Sequence, residues 1–231
     1  IYPGGDDAMD KLYQLACDEL RKVDMSMIKP DDSVNVLASH HGFTLLGGQP
    51  YAILLKAIRD VVHEKTGTEN IRLRAGVGMR FRETEEYIKR YELDKHYGAG
   101  KTKGVAPVDE GIPIETEVGT LYGIKAIYDA DWIIHAHHTD VREVHFHRQI
   151  DKAVKPFGMS YARIETRSTY HQNLGPRAAN FTARAIFESE FVQKKFAVGA
   201  FLNVGPHGVQ TTICMPSMTV PPLSAASCMA G

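Results

Sequence analysis

Short apolar, β-branched runs alternate with longer amphipathic segments along most of this chain, and that alternation limits the architectures open to it. Ser33-Val-Asn-Val-Leu-Ala-Ser39, Ile71-Arg-Leu-Arg-Ala75, Asp131-Trp-Ile-Ile-His135 and Phe196 to Val204 read as strands, with Tyr161 to Ile164 a further candidate. Between them lie helical patterns. Asp6 and Asp7 are placed to cap a helix whose Leu12, Leu15, Ala16 and Leu20 share a face and which ends before Lys29-Pro30. A second helix runs from Pro50 to Glu64 and closes at Gly67; a third starts at Thr84 with glutamates in its first turn; a fourth spans Phe181 to Lys195. Strands separated by helices predict an α/β fold, a parallel or mixed sheet with helices on both faces. Arg72 and Arg74 alternate with apolar neighbours and read as the wet side of an edge strand.

Composition narrows the function. With 231 residues and 43% hydrophobic content the chain can bury one substantial core. We expect a catalytic-type domain over 1–204, followed by a Pro/Ser/Met-rich stretch, 205–231, that is a tail or the start of a truncated second domain. A net charge of −1 removes the electrostatic case for nucleic acid. No apolar run approaches the roughly 20 residues of a membrane span. Cys17, Cys214 and Cys228 are widely spaced and suggest neither a disulfide framework nor a thiolate metal site. The expectation is a cytoplasmic protein acting on a small molecule; nothing in the sequence bears on its oligomeric state.

Ligands of open α/β sheets bind outside the carboxyl ends of the strands, and here each candidate strand runs into chemically capable residues. After the first come a His40-His41-Gly42 turn and Thr44; after the second, Gly76, Gly78, Arg80 and Arg82; after the third, a histidine cluster. Five of the chain's 11 histidines, His135, His137, His138, His145 and His147, fall in that cluster. Such density points to proton transfer, metal ligation or both. On a strand, His135 and His137 share a face and form a usable chelate, with His138 beside them, so a zinc or other divalent-metal enzyme is one reading. Gly98-Ala-Gly100-Lys101-Thr102 imitates the end of a phosphate-binding loop, but Lys95 stands where the first glycine belongs, and a surface loop is the simpler reading.

Longer spacings point elsewhere. His145-Phe146 is followed ten residues later by Lys155, and sixteen residues after that by His171 in Thr-Tyr-His-Gln-Asn. This layout resembles the lactate racemase family, the nickel-pincer-dependent racemases and epimerases of 2-hydroxy acids. The resemblance covers roughly residues 6 to 205: Lys-Pro-Asp-Asp leads into His40-His41, Gly76-Val-Gly78-Met-Arg80-Phe-Arg82-Glu-Thr enters a helix, and Tyr128-Asp-Ala-Asp131-Trp-Ile-Ile leads to a cofactor strand. It implies that His145 is a catalytic base, that Lys155 covalently anchors the pyridinium dithiocarboxylate cofactor, and that His171 ligates its nickel. It also implies a 2-hydroxy acid or sugar acid as substrate, its carboxylate met by Arg80, Arg82 or Arg142, with His40, His41 and Thr44 lining the binding turn.

This chain departs from the family at three places. Arg80 stands where the family has a second catalytic histidine, Ser39-His40-His41-Gly42 where it has Asp-x-Thr-Arg, and Lys152-Ala-Val-Lys155 where it has Gly-Gly-Arg-Lys. The resemblance therefore leaves either a single base or a substitute such as His40, His41 or His137 to support epimerisation of a different substrate. A non-catalytic relative that binds a ligand is a third reading.

Overall fold

In the computed structural model, β1 (Val34–Ser39) is buried at all six positions, because the sheet is covered on both faces. The structure describes residues 7–44, 48–77, 83–139, 154–173, 180–205 and 208–215, with backbone alone at 170–173 and 180. Along β1, Val34, Val36 and Ala38 face one core while Leu37 faces the other, the period of two expected of a strand between two layers. The first core is closed by α1 (Ala8–Arg21) and α3 (Gln49–Thr66), through Leu12, Leu20, Leu54, Ile58 and Val61. The second is closed by α6 (Lys125–Tyr128), a helical turn at 154–158 and α8 (Asn180–Glu188), through Ile127, Tyr128, Phe157, Ile186 and Phe187. Among the described residues no helix is long and apolar enough to cross a membrane.

Six strands form the main sheet in the order β3-β2-β1-β6-β7-β8. They are β1, β2 (Ile71–Gly76), β3 (Thr102–Val105), β6 (Trp132–His138), β7 (Phe196–Gly205) and β8 (Gly208–Met215). All neighbouring pairs are parallel except β7 and β8. The expected α/β architecture is thus the one found, and β8, within the Pro/Ser/Met-rich stretch after 204, adds an antiparallel edge. A separate hairpin, β4 (Gly111–Thr116) with β5 (Gly119–Ile124), packs on the second core. Helix α3 ends where the sequence signals it, at Gly67 with φ 72°, whose N–H donates to the His63 carbonyl.

Four local expectations are corrected. His40 to Gly42 is not a turn but the start of a short helix, α2 (His40–Thr44). Residues 161–164 are not a strand: Ala162 makes one isolated bridge to Gly123, and Ile164 opens α7 (Ile164–Asn173), its N–H donating to the Pro107 carbonyl. The helix expected over 181–195 breaks at Ser189, whose hydroxyl accepts from the Val192 N–H and caps α9 (Glu190–Gln193). Arg72 and Arg74 lie on an internal strand. Arg74 is buried and donates to the carbonyls of Leu73 and Lys101, and Arg72 reaches the Asp129 carbonyl at the corner where α6 ends. The same corner is stitched to the sheet by buried Asn35, which donates to the Ile127 carbonyl and the Asp129 carboxylate.

A polar knot holds the outer helices together. Tyr13 on α1 donates to Asp60 on α3 at 2.7 Å, and His96 on α5 (Leu93–Tyr97) lies 3.0 Å from both Asp60 carboxylate oxygens. Burial raises the Asp60 pKa, but hydrogen bonds from His96, Tyr13 and Arg59 outweigh it and lower the value from 3.8 to about 2. A depressed folded-state pKa stabilises the fold above the unfolded value and is lost as pH falls through the folded one. Asp60→Asn is therefore expected to cost about 1 kcal/mol at neutral pH, after allowance for partial exposure. In urea titrations across pH, the gap from wild type should close between about pH 4 and pH 2, and a gap independent of pH would refute this role for the carboxylate.

Candidate functional site

From β1 the chain crosses to β2 and β3 on one side, and it later returns to β6 on the other side of β1. The carboxyl ends of β1 and β6 therefore border the point where the strand order reverses, the usual position of a ligand crevice in an open α/β sheet. Pairing of Leu37 with His135 and of Ser39 with Gly76 brings the ends of β1, β2 and β6 level. The residues that follow, His40 and His41 after β1, Val77 after β2, and His137, His138 and Thr139 on and after β6, are thereby gathered at one edge.

Tyr51 fixes that edge from beneath. It is fully buried on α3, donates to the Ala136 carbonyl at 2.7 Å and accepts from the Ser39 N–H at 3.2 Å, so one hydroxyl joins α3 to both strands. Burial pushes its phenol pKa up. Gly42 lies against the same ring, where a Cβ would stand 2.2 Å from Tyr51 Cε1, so α2 can follow β1 directly only with glycine there. Tyr51→Phe keeps the packing and leaves a buried donor and acceptor unpaired, which is expected to cost about 1–3 kcal/mol. Chemical denaturation will measure this; a loss under about 0.5 kcal/mol would mean that the hydroxyl bridges nothing important.

The histidines of β6 have separate surroundings. His135 is fully buried, its Nδ1 3.1 Å from the Tyr161 hydroxyl and its ring packed on Phe157 and Phe201. His137 is also buried, its ring centroid 5.7 Å from that of His135, so the two share a face as their spacing requires. His138 bridges the Thr139 carbonyl at 2.9 Å and the His41 carbonyl at 3.3 Å. The His41 carbonyl also accepts from the Thr44 hydroxyl at 2.9 Å, which closes α2 on itself. Among the described residues no group of three or more His, Cys, Asp or Glu is arranged to hold a metal ion.

His40 is half-buried and faces α4 (Glu83–Arg90). Its Nε2 lies 3.2 Å from Glu83 Oε2, and the Tyr87 hydroxyl donates to Glu83 Oε1 at 2.9 Å. The 154–158 turn packs on the second core, with Lys155 half-buried between buried Val154, Pro156 and Phe157. Phe157 stacks edge-on against His135 at mid-strand with centroids 5.3 Å apart, and the Ser160 carbonyl that follows rests on Gly76, so this segment packs on β6 and reaches the end of β2. Helix α7 is tied to the same edge by buried Arg167, which donates to the carbonyls of Ala162 at 2.9 Å and Val77 at 3.0 Å. Burial pulls the Arg167 guanidinium down to about 10. His171 follows four residues later, one turn on along α7.

The structure thus gathers His40, His41, His137 and His138 at the strand ends, and α7 and the segment after the Lys155 turn reach the same edge at Val77 and Gly76. Arg80, Arg82, Arg142 and His145 lie outside the described residues. Sequence reasoning missed Tyr51, Tyr161 and Arg167, whose roles rest on partners far away in the chain. Glu83 stood one position before the helix start expected at Thr84 and opens α4 instead.

No protein-family model and no curated protein sequence matches the chain. Among solved structures, the lactate racemase apoprotein from Thermoanaerobacterium thermosaccharolyticum matches with a TM-score of 0.64 at 12% sequence identity. The match covers 90% of this chain and 52% of that one. At that identity the likeness is one of fold: this chain has a mixed α/β architecture similar to that of the lactate racemase apoprotein and spans about half of its length.

Proposed function

We propose that the chain is an isomerase, a racemase or epimerase of a 2-hydroxy acid or sugar acid that works by reversible hydride transfer with a nickel-pincer nucleotide held at Lys155. The observation that carries this reading is that the segment following Lys155, at Ser160, and α7, which bears His171, meet the strand-end edge at Gly76 and Val77 of a sheet similar in fold to the lactate racemase apoprotein. The donor set fits such a group in kind. Lys155 has the amine that covalent attachment needs, on a turn anchored by buried neighbours, and His171 offers an imidazole suited to nickel. When bound, the group supplies a reversible acceptor for the hydride on C2 of the substrate.

The chain's own residues do the rest. His145 takes the hydroxyl proton as the C2 hydride leaves, and arginine among Arg80, Arg82 and Arg142 pairs with the substrate carboxylate through two parallel N–H donors. Fully buried Tyr51 joins the ends of β1 and β6 through the Ser39 N–H and the Ala136 carbonyl.

The test is peptide mass spectrometry with metal analysis on protein made in a host that supplies the cofactor, together with chiral assay of a panel of 2-hydroxy acids. A nickel-bearing adduct mapped to Lys155 supports the reading. An unmodified Lys155 with stoichiometric zinc would overturn it in favour of metal chemistry at His135 and His137, whose rings share a face.

A further inference from the structure

Arg72 and Arg74 bring more positive charge to the sheet than their surroundings neutralise. They share the face of β2 that Leu37 shares on β1, the side of the second core, and stand about 6.6 Å apart along the strand. In the β2–β3 register Lys103 is the partner of Arg74, on the same face and one strand spacing of about 4.8 Å away. Because β3 is the edge of the sheet, Lys103 is exposed, and among the described residues it makes no ion pair. Arg74 is only 7% exposed and also pairs with no carboxylate among the described residues. The acidic group that acts on it is Asp129, whose carboxylate lies 3.3 Å from Arg72 and accepts from Asn35. Burial pulls the Arg74 guanidinium down, and the neighbouring Arg72 charge adds to that effect. A guanidinium keeps its proton in a protein, so the cost falls on the fold unless an anion offsets it. Donors to hold one are present. Arg74 Nη1 donates to the Leu73 and Lys101 carbonyls and Arg72 Nη2 to the Asp129 carbonyl. The other end nitrogens, Arg74 Nη2 and Arg72 Nη1, have no partner among the described residues and, unlike both Nε atoms, are not sealed from solvent.

We propose that Arg72, Arg74 and Lys103 form an anion site at the β2–β3 edge of the sheet that takes a phosphoryl dianion, either free phosphate or the phosphate of a small phosphorylated metabolite. Three cations less the Asp129 carboxylate leave two positive charges, which match the charge of that dianion. The open Nη donors and the Lys103 ammonium suit its several oxygens, and Arg74 adds a charge that its burial leaves poorly screened. The site is separate from the strand-end edge. Arg74 reaches back to the Lys101 carbonyl and Arg72 to Asp129, at the amino-terminal ends of β3 and β6, whereas Gly76 and Val77 lie at the opposite end of β2. It therefore does not depend on the racemase reading.

Thermal unfolding of the full chain in inorganic phosphate, against sodium chloride at matched ionic strength, tests this. Wild type should gain about 5 °C in melting temperature at saturating phosphate, with a dose response that saturates. Arg74→Met removes the buried charge, so it should melt no lower than wild type in chloride and should lose the phosphate response. Lys103→Gln, at an exposed position, should fold as wild type and bind phosphate about tenfold more weakly by calorimetry. Wild type and Lys103→Gln decide the matter should Arg74→Met fail to fold. Glycerol phosphate bound at least as tightly as inorganic phosphate would assign the site to a phosphorylated metabolite, and weaker binding would assign it to free phosphate. No saturable response in wild type, an affinity unchanged in Lys103→Gln, or equal binding of the dicarboxylate malonate would overturn the proposal.

Discussion

Lys155→Arg is expected to abolish the covalent adduct and to lower racemisation on the order of 10³-fold or more, because the hard chemistry resides in the group that Lys155 would anchor. Arginine keeps the positive charge and most of the length, so a role in simple charge pairing would survive the change. It offers no free amine near neutral pH, so covalent attachment would not. Lys155 is half-buried at the surface of its turn, and Val154, Pro156 and Phe157 hold the segment in place, so the fold should be kept and the melting temperature should move little. Intact mass reports the adduct and chiral chromatography reports turnover on the same sample. A variant that still carries the adduct, or that racemises at the wild-type rate, would rule out Lys155 as the anchor. Loss of turnover only with His135 or His137 variants would point to the metal reading.

The largest effect on stability is expected from Gly76→Ala. Gly76 ends β2, and a Cβ added there would lie 2.2 Å from the Ser160 carbonyl oxygen and 2.8 Å from its carbon. The obstacle is backbone, so no rotamer change relieves it; either β2 or the segment from 154 to 160 must shift. Overpacking of this kind costs about 3 kcal/mol or more, which for a chain of this size lowers the melting temperature by about 6–12 °C. The shift would also move the Lys155 turn relative to the strand ends, so adduct formation should fall even where the variant folds. A Gly76→Ala protein with unchanged melting temperature would mean that Ser160 does not approach the strand end this closely.

The two substitutions probe different depths of legibility. Lys155 was singled out by its intervals to His145 and His171, a signal that lies wholly in the linear sequence. Gly76 was noted only as polar-loop material after a strand; the need for glycine arises from Ser160, 84 positions away, and no local pattern records that contact. Tyr51 is a similar case. It lies within a helix legible from its own periodicity, but its hydroxyl matters because Ser39 and Ala136 come together beside it. Arg72 and Arg74 misled because alternation of polar and apolar residues usually marks a solvated face. Here the polar side is occupied by backbone carbonyls of neighbouring segments, a use of arginine that periodicity does not distinguish from exposure. Residues 161–164 failed as a strand for the reverse reason, since a short apolar run reads alike in a strand and in a helix entry.

By itself the sequence determined the layered class of the fold, the existence of the strands β1, β2, β6 and β7, the start of α1, the extent of α3 to within two residues, and the types of residue that follow each strand. These depend on period, capping and composition, which act over a few neighbouring residues. The tertiary structure alone decided that β6 returns beside β1, which creates the switch point and brings His40, His41, His137 and His138 to one edge. It also decided that Glu83 meets His40 and that Arg167 ties α7 to Val77. Such pairings are selected by the packing of the whole core, in which each crossover must bury its apolar face against a sheet already formed, and a contact across 40 to 90 residues leaves no periodic trace in the chain.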